Sequence, residues 1–133
     1  MNIVNSEKLT AIFGHWPSFH DATVKRVVIK DFPQRSVVAR IHVFQMTQEV
    51  DAQGALALRN HTLATLAFSG VEDLVLENSA SGMLLFGLRI NEVGKHFTVD
   101  FEDAIGDGFA LQFKCHIIEV LEVRACDFRG DLI

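Results

Sequence analysis

Cysteine, proline and tryptophan are scarce in this sequence of 133 residues, and tyrosine is absent. The two cysteines, Cys115 and Cys126, make no disulfide framework, and a chain of this length can build a core without covalent staples. We therefore expect both to be reduced core residues. The sequence has no long apolar run, and it begins with neither a basic segment nor the apolar segment of a secretory signal. It predicts a soluble, cytoplasmic protein without a membrane partner.

Positive charge is also in short supply. The chain has 12 Lys and Arg residues against 17 Asp and Glu residues, which gives a formal net charge of -5. Because this charge opposes a phosphate backbone, we expect no nucleic-acid binding. A basic protein partner would suit it, since opposite charge raises the rate of encounter.

Helical spacing is confined to the start of the chain. An apolar stripe links Leu9 to Phe13, Asn5 or Ser6 can cap a short helix, and Gly14 suits its left-handed C-terminal residue. Later segments mostly alternate apolar and polar residues, as strands do. The sequence therefore predicts a mainly β fold, an antiparallel β-sandwich or flattened barrel with one short N-terminal helix. Without a linker or repeat, residues 1–133 are expected to form a single β-rich domain.

The strand pattern varies in clarity along the chain. Residues 22–30 predict a strand with a bulge near Lys25 and Arg26, where the apolar parity changes, and residues 37–44 predict its hairpin partner. Residues 47–60 follow no clean period, so we expect a loop there, with at most a brief extended piece. Four apolar residues of one parity predict a single face of a later strand: Leu84, Phe86, Leu88 and Ile90.

Residues 14–22 separate the helical pattern from the strand patterns and contain the only tryptophan. Pro17 prevents a helix from running through them. Neighbours in an extended chain point to opposite sides, so His20 and Asp21 are not expected to form a catalytic dyad. Instead, one of them should tie this segment to a nearby backbone group. We interpret Trp16 as core packing beside the helix, with an interface anchor as the alternative.

Motifs for catalysis or cofactor binding are weak or missing. The sequence has no Gly-x-Ser-x-Gly, and Cys115 lies on an alternating strand without an activating base. Residues 106–108 are rich in glycine but precede a strand, so they offer no helix N-terminus to a phosphate. Imidazole binds zinc, but no ligand spacing joins the four candidate histidines: His15, His20, His42 and His61. We predict no enzyme, no catalytic residue, no cofactor and no metal.

A family resemblance is carried by four stretches: residues 13–24, which contain Trp-Pro-Ser-Phe-His-Asp, and residues 39–44, 59–63 and 68–74. They resemble the immunity protein 50 family of bacterial polymorphic toxin systems, and the likeness weakens after residue 91. The resemblance implies a mainly β cytoplasmic protein that protects its producer by binding a cognate toxin. By position in the motif, Trp16, His20 and Asp21 carry over, either as residues that build the fold or as residues that contact the toxin.

The sequence is consistent with three hypotheses about function. The leading one is an immunity protein that neutralises a cognate toxin, expected to be basic, by stoichiometric binding. The alternative is a small β-barrel enzyme or a ligand- or metal-binding protein with a pocket lined by His15, His20 and His42. A third is a structural homodimer formed through an exposed strand edge.

Overall fold

The computed structural model describes residues 2–78, 83–104 and 110–133. The helix α1 spans Glu7–Phe13, and the strands are β1 Thr23–Lys30, β2 Ser36–Val50, β3 Leu56–Ser69, β4 Glu72–Glu77, β5 Met83–Val93, β6 His96–Asp103, β7 Ala110–Cys115 and β8 Ile117–Ala125. They form one antiparallel sheet in the order β4-β7-β6-β5-β1-β2-β3-β8, which is not closed into a barrel. The predicted antiparallel, mainly β fold with a short N-terminal helix is confirmed. The glycine-rich connection at residues 106–108 lies outside the described residues.

The sheet folds over on itself, so that its two halves face each other across one core. The ring of Phe68 in β3 lies 5.1 Å from that of Phe113 in β7 and 6.0 Å from that of Phe101 in β6, measured between ring centroids. Four strands separate β3 from β7 in the order of the sheet, so these rings meet only because the halves pack face to face. The halves are joined where β1 pairs with β5, at Thr23 with Leu84 and Val24 with Met83. We call this place the β1–β5 junction.

The N-terminal helix has the predicted apolar stripe and end. Leu9 and Phe13 are buried against the sheet, and Gly14 has a φ of 81° and donates its N–H to the carbonyl of Thr10 at 2.7 Å. The predicted side-chain cap is wrong. Ser6 takes the N-cap position without a side-chain capping bond, and the amide of Asn5 instead points to β8. The helix is therefore held by packing rather than by its own cap.

The loop predicted for residues 47–60 is wrong, because β2 and β3 continue through most of it as a long hairpin. Their ends pair Met46 with Leu58 and Val50 with Leu56. Most side chains there are exposed on both faces, so no alternation of buried and exposed residues reveals the strands. The turn is closed by the carboxylate of Asp51, which accepts the N–H groups of residues 53 and 55 at 2.9 and 3.0 Å. We call residues 46–58 the hairpin arm.

A bulge in β5 corrects a second prediction, that of one apolar face for Leu84, Phe86, Leu88 and Ile90. The register with β6 shifts between Leu85 and Gly87. Consequently Leu85 is fully buried, whereas Phe86 is 58% exposed. At the bulge, two residues of β5 lie opposite one residue of β6, and this reverses the side-chain parity of β5 beyond that point.

Three smaller features complete the fold. The register of β1 with β2 shifts between Val24 and Arg26, which confirms the bulge predicted there. Cys115 and Cys126 are both free and buried, as expected of reduced core residues. Over the described parts of the chain, no helix has the length and apolar character needed to cross a membrane.

Candidate functional site

Residues 14–22, which we call the motif segment, are joined to β5 by backbone hydrogen bonds. The N–H of Asp21 donates to the carbonyl of Leu85 at 2.9 Å, and the N–H of Leu85 donates to the carbonyl of Ala22 at 2.8 Å. Farther along, the N–H of Leu88 donates to the carbonyl of Ser18 at 3.4 Å. The segment thus extends the β1–β5 junction and covers the bulge of β5. Its position is fixed by main-chain groups that would otherwise lack partners.

Two residues of the motif segment have left-handed backbone conformations. Phe19 and Asp21 both have a φ of 62°, a conformation that a side chain with a Cβ seldom adopts. This tight path turns the ring of Phe19 into the core, where it is 1% exposed and lies 5.8 Å from the ring of Trp16. Trp16 is partly buried and packs against the same core. Burial of the Phe19 ring compensates for the backbone strain.

His20 ties the motif segment to the bulge. Its Nδ1 lies 2.8 Å from the carbonyl oxygen of Phe86, and because a carbonyl only accepts, Nδ1 carries the proton. The sequence predicted such a tie for His20 or Asp21. The rings of His20 and Phe86 also meet edge to face, with centroids 5.4 Å apart. His20 therefore holds Phe86 in its outward position through both backbone and ring.

The side chains of His20 and Asp21 lie on the same side of the chain, contrary to the expectation from sequence. Their Nε2 and Oδ2 atoms are 3.6 Å apart, because the left-handed conformation of Asp21 replaces the extended one that would separate them. Both side chains are nearly half exposed, so the pair contributes little to stability. With Nδ1 donating to a backbone carbonyl, the contact with Asp21 is favourable only when His20 is protonated.

Two open clefts lie on either side of the motif segment, and four of its residues line both: His15, Pro17, Ser18 and His20. The larger, which we call the β5 cleft, has a volume of ≈ 490 Å³ and also includes Trp16, Phe86 and the ion-paired Arg89 and Glu102. The smaller, the β2 cleft, has a volume of ≈ 240 Å³ and is completed by Phe13, Phe19 and three residues of β2: Phe44, Gln45 and Met46. The motif segment is the wall between them.

His42 and His61 form a separate pair on β2 and β3. Nε2 of His42 lies 2.9 Å from Nδ1 of His61, so one ring donates and the other accepts. Phe44 contacts both rings. Burial lowers the pKa of both histidines, the proximity of His61 and of Lys25 lowers that of His42 further, and Asp127 opposes both shifts. The pair is therefore favoured in its neutral state.

The structure does not assemble the histidine pocket of the alternative hypothesis. His15 and His20 line the two clefts, but His42 lines neither and is bonded to His61. Within residues 2–78, 83–104 and 110–133, no three His, Cys, Asp or Glu side chains are grouped so that they could hold a metal ion. Cys115 is buried, and burial raises its pKa to about 12. Its thiol is thus protonated at neutral pH, in agreement with the inert role expected from sequence.

Two features of the site were not predicted from the sequence: the outward position of Phe86 and the exposed hairpin arm. The bulge had a signal, since a glycine inside a strand pattern often marks one, and Gly87 follows Phe86 directly. For the arm, the acidic turn at Asp51 and Gly54 is a hairpin signal that the absence of alternation obscured.

The fold and its site define a small all-β domain in which a motif segment bridges the junction of two sheet halves and shapes a cleft on each side. The chain matches the family described as Immunity protein 50 over residues 5–125, and it belongs to that family. The match includes the motif segment and all eight strands, which confirms the resemblance seen in residues 13–24. No curated protein and no solved structure matches the chain significantly.

Proposed function

We propose that this protein is an immunity protein that binds a cognate toxin domain stoichiometrically and thereby protects the cell that makes both. The observation that carries the proposal is the family match over residues 5–125, which covers most of the chain. On this proposal the protein works in the cytoplasm as a bacterial component of a polymorphic toxin system, and it is not an enzyme.

The charge of the protein supports a basic toxin as the partner. With a net charge of -5, the protein attracts a cationic domain over a longer range than contact forces reach. An immunity protein must bind before its toxin acts, so a fast encounter is an advantage that electrostatic attraction supplies. This support is independent of the family match.

The motif residues have distinct parts in the proposal. Trp16 packs on the core and, with Asp21, fixes the path of the motif segment. His20 lines both the β5 cleft and the β2 cleft, where an incoming side chain or loop can reach it. We propose that Trp16 and Asp21 shape the toxin-binding region and that His20 is available for contact.

Co-expression with the toxin domain encoded beside the gene tests the proposal. Wild-type protein should restore growth and co-purify with the toxin as a one-to-one complex. Phe68→Asp, which places a charge in the aromatic core, serves as a control that cannot fold and should not rescue. If the toxin is expressed and toxic, and the wild-type protein neither rescues growth nor co-purifies, the proposed function is wrong.

A further inference from the structure

The hairpin arm has one face made of exposed apolar side chains. Antiparallel partners point to the same face of a sheet, so Met46 shares a face with Leu58 and Val50 shares one with Leu56. The register shifts between these two pairs, but Leu56 and Leu58 are two residues apart on β3, which places their side chains, and those of their partners, on the same face. Their exposed fractions are 43% for Met46, 65% for Val50, 53% for Leu56 and 43% for Leu58.

This face is continuous with the β2 cleft beside the motif segment. Met46 belongs to both, and the cleft adds the partly buried Phe44 and the ring of Phe13. Scattered exposed apolar residues are ordinary, but a contiguous set on a projecting hairpin is typical of an interaction surface. A stable interface buries roughly 800 Å² on each partner, which exceeds what four partly exposed side chains supply. The arm and the cleft must therefore act together.

The charge of the arm decides which partner fits. Between Arg40 and Arg59 the sequence has no lysine or arginine, whereas the arm itself has Glu49 and Asp51, both exposed. A second copy of this chain docked face to face would bring these carboxylates toward their own equivalents, which is unfavourable. A cationic protein surface around an apolar centre would meet both the apolar face and the carboxylates favourably.

We propose that the apolar face of the hairpin arm, together with the β2 cleft, is the surface that receives a basic protein domain. This inference rests on the proposed function, because it takes that domain to be the cognate toxin. The motif segment holds the inner wall of the surface in place, and the arm supplies the outer part. Apolar contact provides most of the affinity, and Glu49 and Asp51 speed association.

Binding of the purified toxin domain to designed variants tests the proposal. The Val50→Ser/Leu56→Ser double variant removes the two most exposed large apolar side chains of the arm without changing its charge. Its matched control is Ile117→Ser/Leu121→Ser on β8, where the exposed fractions are 50% and 42%. Calorimetry and surface binding give Kd and the association rate for each, and thermal unfolding verifies that every variant folds.

The arm double variant should weaken binding by about a hundredfold or more, as expected for central apolar contacts, while the β8 control stays within about threefold of wild type. Glu49→Lys should slow association at low salt by about tenfold, and added salt should reduce the difference. Glu77→Lys on β4 is the control for charge alone.

If the wild-type protein and the folded arm variants bind the toxin equally well, this inference is wrong and the proposed function still stands. A wild-type protein that fails to bind the toxin at all refutes the proposed function and this inference with it. A wild-type dimer in light scattering that the arm double variant converts to monomer would assign the face to a second copy and overturn the assignment to a basic domain.

Discussion

Replacement of Phe19 by alanine measures how strongly burial holds the motif segment. The ring is 1% exposed and is among the largest fully buried side chains of the core. Truncating a buried phenylalanine costs about 3 to 5 kcal/mol, while a domain has only about 5 to 15 kcal/mol of stability in total. We therefore expect Phe19→Ala to remove roughly a fifth or more of the stability and to lower Tm by about 10 to 20 °C.

Urea unfolding followed by tryptophan fluorescence suits this variant. Trp16 is the only tryptophan and lies 5.8 Å from the Phe19 ring, so its emission reports on the motif segment directly. His20→Ala is the comparison: it loses one exposed hydrogen bond and one ring contact with Phe86, together about 1 to 2 kcal/mol. A loss below about 1 kcal/mol for Phe19→Ala would refute the reasoning, as would a larger loss for His20→Ala than for Phe19→Ala.

Acidification should destabilise the protein through His42 and His61. Folding lowers the pKa of both histidines, so the unfolded chain binds more protons than the folded one. The free energy of unfolding therefore falls as pH drops through and below about 6.5. Urea unfolding at about pH 7.5 and about pH 5.5 measures this loss, which His61→Phe should reduce. Cys115, with its pKa raised to about 12, should react with a thiol reagent at about pH 8 only after unfolding, as followed by absorbance. Gly70→Ala should lower the free energy of unfolding by more than the roughly 1 to 2 kcal/mol that a left-handed conformation costs, because the new Cβ would lie 2.8 Å from Cδ2 of His116. Thermal unfolding measures this loss.

Each of these three predictions has a contradicting result. Equal stability at the two pH values would mean that the histidine pair is not held neutral by folding. Rapid modification of native Cys115 in a Cys126→Ser background would show that the thiol is accessible. Gly94→Ala is the control for Gly70→Ala, because Gly94 also has a positive φ, 60°, but open space around its Cβ position. Equal losses at both glycines would show that contact with His116 has no effect.

Strands with one buried face were predictable from the sequence, and those outside the core were not. In β6, buried Phe97, Val99 and Phe101 alternate with less buried polar residues, so the period of two is visible. The arm has the same backbone conformation, but most of its side chains are exposed on both faces and the period disappears. Hydrophobic patterning reports burial, and it reveals a strand only where burial differs between the faces.

The site depended on features that no local pattern contains. His42 and His61 are 19 residues apart in the sequence, and only the pairing of β2 with β3 brings their rings together. The contact of His20 with Asp21 required a left-handed residue, which the prediction of an extended segment excluded. In contrast, the tie of His20 to a backbone group was predictable, since a buried or half-buried polar group needs a partner.

The strand order has a consequence for how the chain folds during synthesis. β3 pairs with β8, so Thr62 and Phe68 are synthesised well before their partners in the sheet, Ala125 and Ile118. Until residues Ile117–Ala125 leave the ribosome, β3 has an unpaired edge and its apolar face is incompletely covered, a state that invites aggregation. On the proposed function, protection against a toxin made at the same time would begin only after β8 is translated, so the relative timing of the two syntheses would matter as well as the affinity between the two proteins.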